Sequence, residues 1–329
     1  MKQVLVTGAG GTVGREALKE LVREGTWNVR VFEKRSKAVE RVLAPFAGAI
    51  EIIWGDITDK TSVAAAMTGV DAVIHLAGII PPLADIRPDL ARRVNVGGTE
   101  NIIAAACASA LNPFIIFASS VSVYGDRLKT PWIRVGDALA PGHDAYAGTK
   151  IAAEEALTGA MLRTAIFRLS AVMYPTIAMN PAMFHMPLDT SLEIVTSADT
   201  GYAFAHAIDH PELAGGIYNL GGGERCRTTY RTYINDCFEA MGLGRGFLPE
   251  KAFAVSDFHC GYYADSDVLN EALHFQRMTL TDHLAEMRAA LPSWKRFFAR
   301  MLRPVIRRQI LRVSEPFMQL TRAAAHAAS

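Results

Sequence analysis

The chain has 329 residues, of which half are hydrophobic and a fifth are charged, and its formal net charge is +1. This composition excludes a disordered chain and provides enough apolar residues for a large core. The charge is uneven, because residues 292–329 carry eight Lys or Arg against one acid, Glu315, and are +7, which leaves −6 on residues 1–291. A protein that is basic throughout, as expected of a nucleic-acid binder, is therefore excluded, whereas a basic tail is not.

The cysteine pattern and the lack of long apolar runs indicate in which cellular compartment the protein is expected. The cysteines form neither a Cys-x-x-Cys pair nor a zinc-like cluster with histidine, so we expect free thiols in a reducing compartment and no metal site. The first residues lead into a strand pattern without a signal segment, and no run of about 18 apolar residues predicts a spanning helix. We therefore expect a cytoplasmic globular protein. The four cysteines are Cys107, Cys226, Cys237 and Cys260.

Short β-branched runs alternate with helical patterns over the first half of the chain. Strands are predicted at residues 4–6, 29–32, 51–54, 72–74, 114–117 and 164–169. Helices are predicted at residues 12–24, 37–43, 60–67, 88–110 and 145–161. Continuous apolar strands separated by helices indicate a parallel sheet covered on both faces. The predicted fold class is therefore α/β, with a doubly wound parallel sheet.

Beyond residue 173 the alternation becomes less regular. Residues 174–198 are rich in Pro and Met and are predicted to form a loop that lines a cleft. A helix at 200–208 and a strand at 217–220 are predicted to return to the sheet, and two amphipathic helices are predicted within 224–291. The expected division is a first domain at 1–173 joined by 199–222, a second region at 174–198 and 223–291, and a basic helical tail at 292–329.

The first strand ends in a glycine-rich turn, Thr7-Gly8-Ala9-Gly10-Gly11-Thr12-Val13-Gly14. Gly8, Gly11 and Gly14 follow a strand and open a helix, a context in which the backbone lies close to a pyrophosphate at the helix N-terminus. We therefore predict a dinucleotide site that includes Thr12 and Val13. The alternative is a turn with a structural role alone.

The end of the second strand bears on the identity of the dinucleotide. Glu33 lies nineteen residues past Gly14, where an acid typically binds the adenosine ribose hydroxyls, and it favours NAD. Lys34 and Arg35 follow directly and would suit the 2′-phosphate of NADP. A solvated charge cluster with no role in binding is the third interpretation.

Two more loops follow strands at the edge where a doubly wound sheet binds its ligand. Asp56, followed by Ile57, is a candidate acceptor for the adenine amino group or else a helix cap. His75, at the end of the fourth strand, is interpreted as a packed residue. The cofactor backbone would run past the small or apolar residues after it: Leu76, Ala77 and Gly78.

Tyr146 and Lys150 are the decisive pair, although such a pair alone is more often a surface contact. At i and i+4 they share a helix face, so the ammonium is expected near the phenol. A neighbouring cation would lower the pKa of Tyr146 from about 10 towards neutrality and make it an acid/base. The segment Ser119-Ser120-Val121-Ser122, after the preceding strand, offers hydroxyls that would orient a substrate oxygen.

In combination, these motifs resemble the extended short-chain dehydrogenase/reductase family, also described as NAD-dependent epimerases/dehydratases. The resemblance covers about residues 1–290. It rests on Thr7–Gly14, Gly55-Asp56, His75–Gly78, Asn95–Thr99, Ser119–Gly125, Tyr146–Lys150 and Arg168–Ser170. It implies a Rossmann domain at 1–173 that binds NAD or NADP, and a small C-terminal substrate-binding region at 174–198 and 223–291.

The resemblance also implies what the site residues do. Tyr146 would exchange the proton, and Lys150 would lower the pKa of Tyr146 and hold the nicotinamide ribose. Ser120, four residues before the Tyr-Gly of its loop, would position the reacting oxygen, with Ser122 as a further substrate contact. Asn95 would support the site structurally.

A homodimer is implied as well. In the family, the helices that correspond to 88–110 and 145–161 form a four-helix bundle between two copies. Ile102, Ile103 and Ala106 are consistent with that bundle, and equally with packing against the sheet.

Departures from the family pattern bear on the substrate. Sugar-nucleotide dehydratases carry an Asp-Glu pair after the catalytic hydroxyl, where this chain has Val121-Ser122, so dehydration is not expected. After Arg168 the chain reads Leu-Ser-Ala rather than the Tyr-Phe-Asn of many epimerases. A diphosphate would need basic residues, and the candidates are equally suited to a solvated surface: Arg225, Arg227 and Arg231.

The sequence therefore predicts an NAD(P)-dependent oxidoreductase that transfers a hydride at a secondary alcohol or ketone carbon of a small molecule. A sugar or nucleotide-sugar epimerase or dehydrogenase is placed first. A reductase or dehydrogenase of a lipid- or sterol-like alcohol is the alternative, since residues 75–81 are similar to 3β-hydroxysteroid dehydrogenases. A non-catalytic NAD(P)-binding sensor is the third, although relatives of that kind typically lose the Tyr/Lys pair.

The basic tail carries a helical stripe of apolar residues. These residues recur at helical spacing from Trp294 to Ile310 with basic residues between them, and Pro304 is expected to kink the helix. Residues 293–313 would lie on an anionic membrane surface, or pack on the acidic body or on a second subunit.

Overall fold

The computed structural model describes residues 1–176 and 181–327. Its strands are β1 (Gln3–Thr7), β2 (Asn28–Glu33), β3 (Ile50–Trp54), β4 (Ala72–His75), β5 (Phe114–Ser120), β6 (Trp132–Ile133), β7 (Thr164–Leu169), β8 (Ala171–Met173), β9 (Ser191–Thr196), β10 (Ile217–Leu220), β11 (Arg227–Thr229) and β12 (Tyr262–Tyr263). Its helices are α1 (Thr12–Glu24), α2 (Lys37–Leu43), α3 (Lys60–Ala66), α4 (Leu83–Ile86), α5 (Pro88–Arg92), α6 (Gly98–Cys107), α7 (Ala145–Gly159), α8 (Ser197–Ala207), α9 (Tyr230–Ala240), α10 (Ser266–Leu273), α11 (Leu280–Ala290), α12 (Ser293–Met301), α13 (Arg303–Leu311) and α14 (Glu315–Ala327).

Parallel strands form the central sheet in the order β10-β7-β5-β4-β1-β2-β3. Both faces are covered, because Val4 and Val6 pack with α1, α8 and α10, whereas Leu5 packs with α3, α6 and α7. Strand order reverses between β1 and β4, which opens a crevice at the carboxyl ends of these strands. The doubly wound α/β fold is confirmed.

The ends of α1 and α2 lie where the sequence predicts them, and local caps explain why. Gly11 is the N-cap of α1, and Gly25 ends it in the left-handed region with φ +64°. The Ser36 side chain accepts a hydrogen bond from the backbone N–H of Val39 and so begins α2.

The single helix predicted at 88–110 is wrong in two respects. The chain forms α5, a wide π-helical turn at Arg93–Gly97 and then α6, which ends at Cys107. The turn brings Asn95 against the backbone of Ile79, where its side chain both donates and accepts a hydrogen bond. Such interruptions often occur at functional sites.

Packing within the chain also leaves fewer residues of α6 free for the dimer interface that the family resemblance implies. Ile102 and Ala106 are buried against the sheet with Val63 and Ile115, so they do not face outwards. Ile103 is only partly buried.

The region after β7 is more ordered than predicted. Segment 174–198, expected to be a loop, contains β9, which pairs with β8 and β11 in a separate sheet. Residues 177–180 of that segment lie outside the described residues. Within 224–291 the chain forms α9, α10 and α11 rather than two helices. Gly242, Gly244 and Gly246 adopt positive φ after α9, and His274, with φ +52°, ends α10 before α11 begins.

The tail folds into α12, α13 and α14 and packs on the second region through one face. The break falls at Leu302, and Pro304 occupies the first turn of α13, where a missing N–H costs little. Ile310 is buried, and Ile306 and Phe317 pack on the same apolar cluster. None of the helices in the described part of the chain is long and apolar enough to cross a membrane.

Candidate active site

The glycine-rich turn forms one wall of a cavity of about 650 Å³ at the carboxyl ends of the strands. Gly8 has φ +74°, and a Cβ there would lie 2.6 Å from the backbone N of Ala77, so only glycine fits. Gly11 donates its N–H to the carbonyl of Gly8 at 3.0 Å and completes the turn. The predicted residues that line the cavity are Gly8, Gly11, Glu33, Lys34, Asp56, Ile57, Leu76, Ala77 and Gly78.

Not every residue predicted for the turn reaches this cavity. Thr12, Val13 and Gly14 lie in the first turn of α1 and are not part of the lining. A Cβ at Gly14 would lie 2.3 Å from the carbonyl oxygen of Gly8, so this glycine lets the helix pack closely on the loop.

Glu33 points back into the glycine-rich turn. Its Oε1 accepts the backbone N–H of Gly10 at 2.7 Å, and burial raises its pKa despite that hydrogen bond. The carboxyl group therefore lies in the cavity wall beside the loop, and burial partly opposes its ionisation.

The two basic residues after Glu33 are already paired with acids. The Lys34 ammonium lies 2.7 Å from Asp56 and, with the hydrogen bonds from Thr58, lowers the pKa of that carboxyl to about 2. Arg35 pairs with Glu40 at 2.7 Å and is not part of the cavity lining.

Asp56 is not the cap of the following helix. Both the N–H and the hydroxyl of Thr58 donate to Asp56 Oδ1, which closes a turn. The cap of α3 is Asp59, which accepts the N–H of Thr61. Asp56 thus lies at the cavity wall with one oxygen in the turn and the other on Lys34.

Tyr146 and Lys150 lie on one face of α7, as predicted. Lys150 Nζ is 5.8 Å from the centroid of the Tyr146 ring and donates to the carbonyl of Ala118 at 2.8 Å. Burial lowers the pKa of Lys150 to about 8, and the charge of Glu154 partly opposes this. The ammonium is thus held between β5 and the tyrosine ring.

The prediction that Lys150 lowers the pKa of Tyr146 is wrong for the protein without bound ligand. Burial raises the pKa of Tyr146 above its ordinary value, and the hydroxyl of Ser120 opposes this only in part. Lys150 is itself desolvated and bound to a carbonyl, so its charge does not offset the burial of the phenol.

Ser119 and Ser120 end β5, Ser122 lies in the turn after it, and the three hydroxyl groups point to different contacts. Ser119 donates to Glu154, away from the tyrosine. Ser122 is buried and donates its hydroxyl to Ser120 Oγ at 3.0 Å. Ser120 is therefore the hydroxyl that meets Tyr146, and Ser122 orients it.

Glu154, Asn95 and Arg93 complete the site, and of these three the sequence analysis assigned a role only to Asn95. Glu154, one turn beyond Lys150, forms an ion pair with Arg168 at 2.7 Å, and its i+4 spacing was the signal that could have revealed it. Asn95 donates to Thr149 on α7 and so joins this helix to the loop after β4. Arg93 lines the cavity, although nothing in its sequence context indicates this.

His75 is a structural residue, in line with its interpretation from sequence. Its ring nitrogens lie 2.8 Å from Thr7 Oγ1 and 3.0 Å from Thr99 Oγ1, and it is fully buried. Burial, with a contribution from the charge of Lys150, lowers its pKa to about 3.

A second cavity, of about 580 Å³, adjoins the serine loop and the start of α7. Its polar lining is acidic and imidazole-rich and consists of Ser122, Asp126, His143, Asp144, Asp257 and His259. The arginines considered for a diphosphate lie elsewhere in internal contacts. Arg227 binds Glu193, Arg231 binds Asp189 and Glu250, and Arg225 donates to the carbonyl of Gln276.

Curated relatives resemble part of the chain. A 3 beta-hydroxysteroid dehydrogenase/Delta 5→4-isomerase of Mycobacterium tuberculosis is 35% identical over 161 residues, 46% of this chain and 41% of that protein. D-erythronate dehydrogenase of Cupriavidus necator is 29% identical over 187 residues, 54% of this chain and 56% of that protein. The chain thus spans about two fifths to just over half the length of these relatives.

Solved structures share the fold over nearly the whole chain. A short-chain dehydrogenase/reductase superfamily protein from Agrobacterium tumefaciens, solved with bound NAD, has a TM-score of 0.69 at 23% identity and covers 92% of this chain and 99% of its own. The UDP-glucose-4-epimerase of Stenotrophomonas maltophila, solved with NAD, has a TM-score of 0.69 at 20% identity, with 92% and 100% covered.

The sequence itself establishes the family. The model of the 3-beta hydroxysteroid dehydrogenase/isomerase family matches residues 5–218, which include the glycine-rich turn, the serine loop and the Tyr/Lys pair. The predicted kinship with extended short-chain dehydrogenases/reductases is thereby confirmed, and the chain belongs to the 3-beta hydroxysteroid dehydrogenase/isomerase family.

Proposed function

We propose that the protein is an NAD-dependent oxidoreductase acting at a secondary alcohol or ketone carbon. The observation that carries the proposal is the convergence of Ser120, Tyr146 and Lys150. Lys150 lies next to Gly78, which lines the dinucleotide-sized cavity, and Ser120 is bonded to Ser122, which lines the second cavity. Bound NAD would supply the hydride acceptor or donor at its nicotinamide C4.

The chain's own residues would divide the work between them. Tyr146 would exchange a proton with the substrate oxygen, and Ser120, oriented by Ser122, would hold that oxygen in reach. Lys150 would bind ribose hydroxyls. With a pKa of about 8, it would also carry positive charge at neutral pH.

NAD is proposed rather than NADP. The carboxylate of Glu33 accepts ribose hydroxyls but repels a 2′-phosphate. Lys34 and Arg35 would have to leave Asp56 and Glu40 before they could bind that phosphate.

For the substrate, we favour an uncharged sugar-type polyol. Asp126, Asp144 and Asp257 offer acceptors to hydroxyl groups and repel phosphate, which also disfavours a nucleotide sugar. The internal pairs of Arg227 and Arg231 leave them poor ligands for a diphosphate. A sterol- or lipid-like alcohol is the second candidate, supported by the family and by the exposed apolar face of the tail.

The test begins with mass spectrometry of nucleotide released from the denatured protein. Stoichiometric NAD supports a tightly held cofactor, as an epimerase needs, whereas an empty protein that prefers NADP would contradict the assignment of Glu33. NADH formation is then measured with neutral sugars, sugar acids, UDP-sugars and 3β-hydroxysterols. Epimerisation of the sugars is followed by NMR, because an epimerase returns the hydride and releases no net NADH. Turnover of sterols alone would overturn the sugar-type proposal, and no turnover of any of these alcohols would overturn both candidates.

A homodimer through α6 and α7 is proposed from the small residues on their outer faces. Gly148, Ala152 and Ala156 of α7 and Ile103 of α6 are neither fully buried nor fully exposed. Light scattering tests this. A dimer that Ala152→Glu separates is expected, and a monomer at micromolar concentration contradicts it.

A peripheral membrane contact through residues 293–313 of a cytoplasmic protein is also proposed. Trp294, Phe297 and Phe298 are more than half exposed and lie among basic residues. This combination is typical of helices that lie in the membrane interface.

A further inference from the structure

The tail contains a cavity of about 630 Å³ between α13 and the start of α14. Four arginines line it: Arg303, Arg307, Arg308 and Arg312. Its floor is apolar and includes Leu311 and Phe317. The cavity lies well away from the glycine-rich turn and the Tyr/Lys pair, so the proposed reaction does not use it.

What sets these four arginines apart is that they lack an acidic partner in the described part of the chain and also line one cavity. Among the described residues, none of the four lies within 4 Å of a carboxylate, whereas Arg168, Arg231 and Arg245 are each bound to acids. Arg303 donates only to the carbonyl of Arg245. Four uncompensated guanidinium groups around one cavity favour an anion, and their planar donors match phosphate oxygens.

The surface next to the cavity is apolar and exposed. Met301, Leu302 and Val305 flank Arg303 and Pro304 of the cavity lining along the chain and are more than half exposed. Trp294 and Phe297 on α12 are 59% and 61% exposed. Exposed aromatic and aliphatic side chains beside unpaired arginines fit a ligand that carries a phosphate on an apolar body.

We propose that this cavity binds the phosphate of an anionic glycerophospholipid in a membrane surface. The arginines contact the headgroup phosphate, Leu311 and Phe317 lie beneath it, and Trp294 and Phe297 insert among the acyl chains. This inference rests on the proposed membrane contact and adds a defined headgroup site to it.

The test uses the full-length protein and sedimentation with vesicles of phosphatidylcholine, with and without phosphatidylglycerol. Binding is expected only when phosphatidylglycerol is present. The double variant Arg307→Gln/Arg312→Gln is expected to weaken vesicle binding at least tenfold. The control, Arg296→Gln/Arg300→Gln, removes the same charge from the tail but outside the cavity, and it is expected to weaken binding less than threefold. Circular dichroism and thermal unfolding verify that both variants fold.

The outcomes separate the headgroup site from the membrane contact itself. Equal weakening by the two double variants would leave the membrane contact but overturn the site. Loss of binding in Trp294→Ser/Phe297→Ser supports insertion, and failure of the wild-type protein to bind either vesicle would overturn both proposals. Full displacement by millimolar inorganic phosphate would assign the cavity to a free anion and overturn the lipid.

Discussion

Arg168 and Glu154 form a buried ion pair one helical turn beyond Lys150, next to the residues that we propose to be catalytic. Arg168 Nη2 lies 2.7 Å from Glu154 Oε2, and each side chain is only 4% exposed. Glu154 also accepts the hydroxyl of Ser119, and Arg168 donates to the Tyr124 hydroxyl. The pair therefore joins the helix that carries Tyr146 and Lys150 to β5 and β7, and so fixes the distance between that helix and the serine loop.

Breaking this pair should destabilise the protein strongly. Glu154→Gln leaves the Arg168 guanidinium buried without its counter-charge, a situation that typically costs about 3–5 kcal/mol. We expect a corresponding loss in the free energy of unfolding measured with urea. Glu155→Gln, on the exposed side of the same helix, is the control and should change stability by less than about 0.5 kcal/mol. Similar values for the two variants would show that the pair contributes little.

Tyr146→Phe should remove turnover and leave cofactor binding intact. The substitution deletes only the phenol oxygen that we propose to exchange the proton, and loss of a general acid/base typically lowers kcat by about 10²–10⁴-fold. Lys150→Met should remove turnover as well and also weaken NAD binding, because the ammonium lies next to Gly78 in the wall of the cavity. Calorimetry with NAD and a turnover assay separate the two effects.

The control for this pair of variants is Tyr202→Phe, on α8 and remote from the cavity. It should match the wild-type protein in both measurements. Unchanged turnover in Tyr146→Phe would overturn the site assignment. Cellular function that survives this substitution would instead support a non-catalytic NAD-binding sensor.

Local signals explain why so much of the first domain is readable from the sequence. Gly11, Gly25 and Ser36 cap the helices next to them. The start and end of α1 and the start of α2 can therefore be predicted from short stretches of sequence. The apolar runs of the sheet and the i,i+4 spacing of Tyr146 and Lys150 are local patterns too.

What the sequence did not reveal depends on contacts between distant residues. Glu154 and Arg168 meet only because α7 packs on β7, and the short β9 is held by pairing with β8 and β11. The direction in which the pKa of Tyr146 shifts depends on how far the folded chain excludes water from the phenol. The spacing of residues along a helix does not predict that exclusion.

Replacing Glu33 should change the choice between cofactors. Glu33→Gln keeps an acceptor for the Gly10 N–H but removes the charge that repels a 2′-phosphate. The affinity for NAD relative to NADP, measured by fluorescence titration, should fall about tenfold, which is about 1.4 kcal/mol. Glu40→Gln, which frees Arg35 outside the cavity, should leave the ratio unchanged. A larger shift in Glu40→Gln than in Glu33→Gln would mean that Arg35 selects the cofactor.

His75 should make the protein less stable in mild acid. The imidazole binds a proton below about pH 6.5 in the unfolded chain, but burial lowers its pKa in the folded protein to about 3. Between these values the unfolded state binds more protons, so stability falls as the pH falls, by about 2 kcal/mol from pH 7 to pH 5 for this residue. Urea unfolding at several pH values measures that slope. His75→Gln should be less stable overall, but its stability should depend less on pH, because the contribution of His75 is gone. His210→Gln replaces a surface histidine paired with Glu212 and should keep the pH dependence of the wild-type protein. An unchanged slope in His75→Gln would mean that the buried ring does not set the acid sensitivity of the fold.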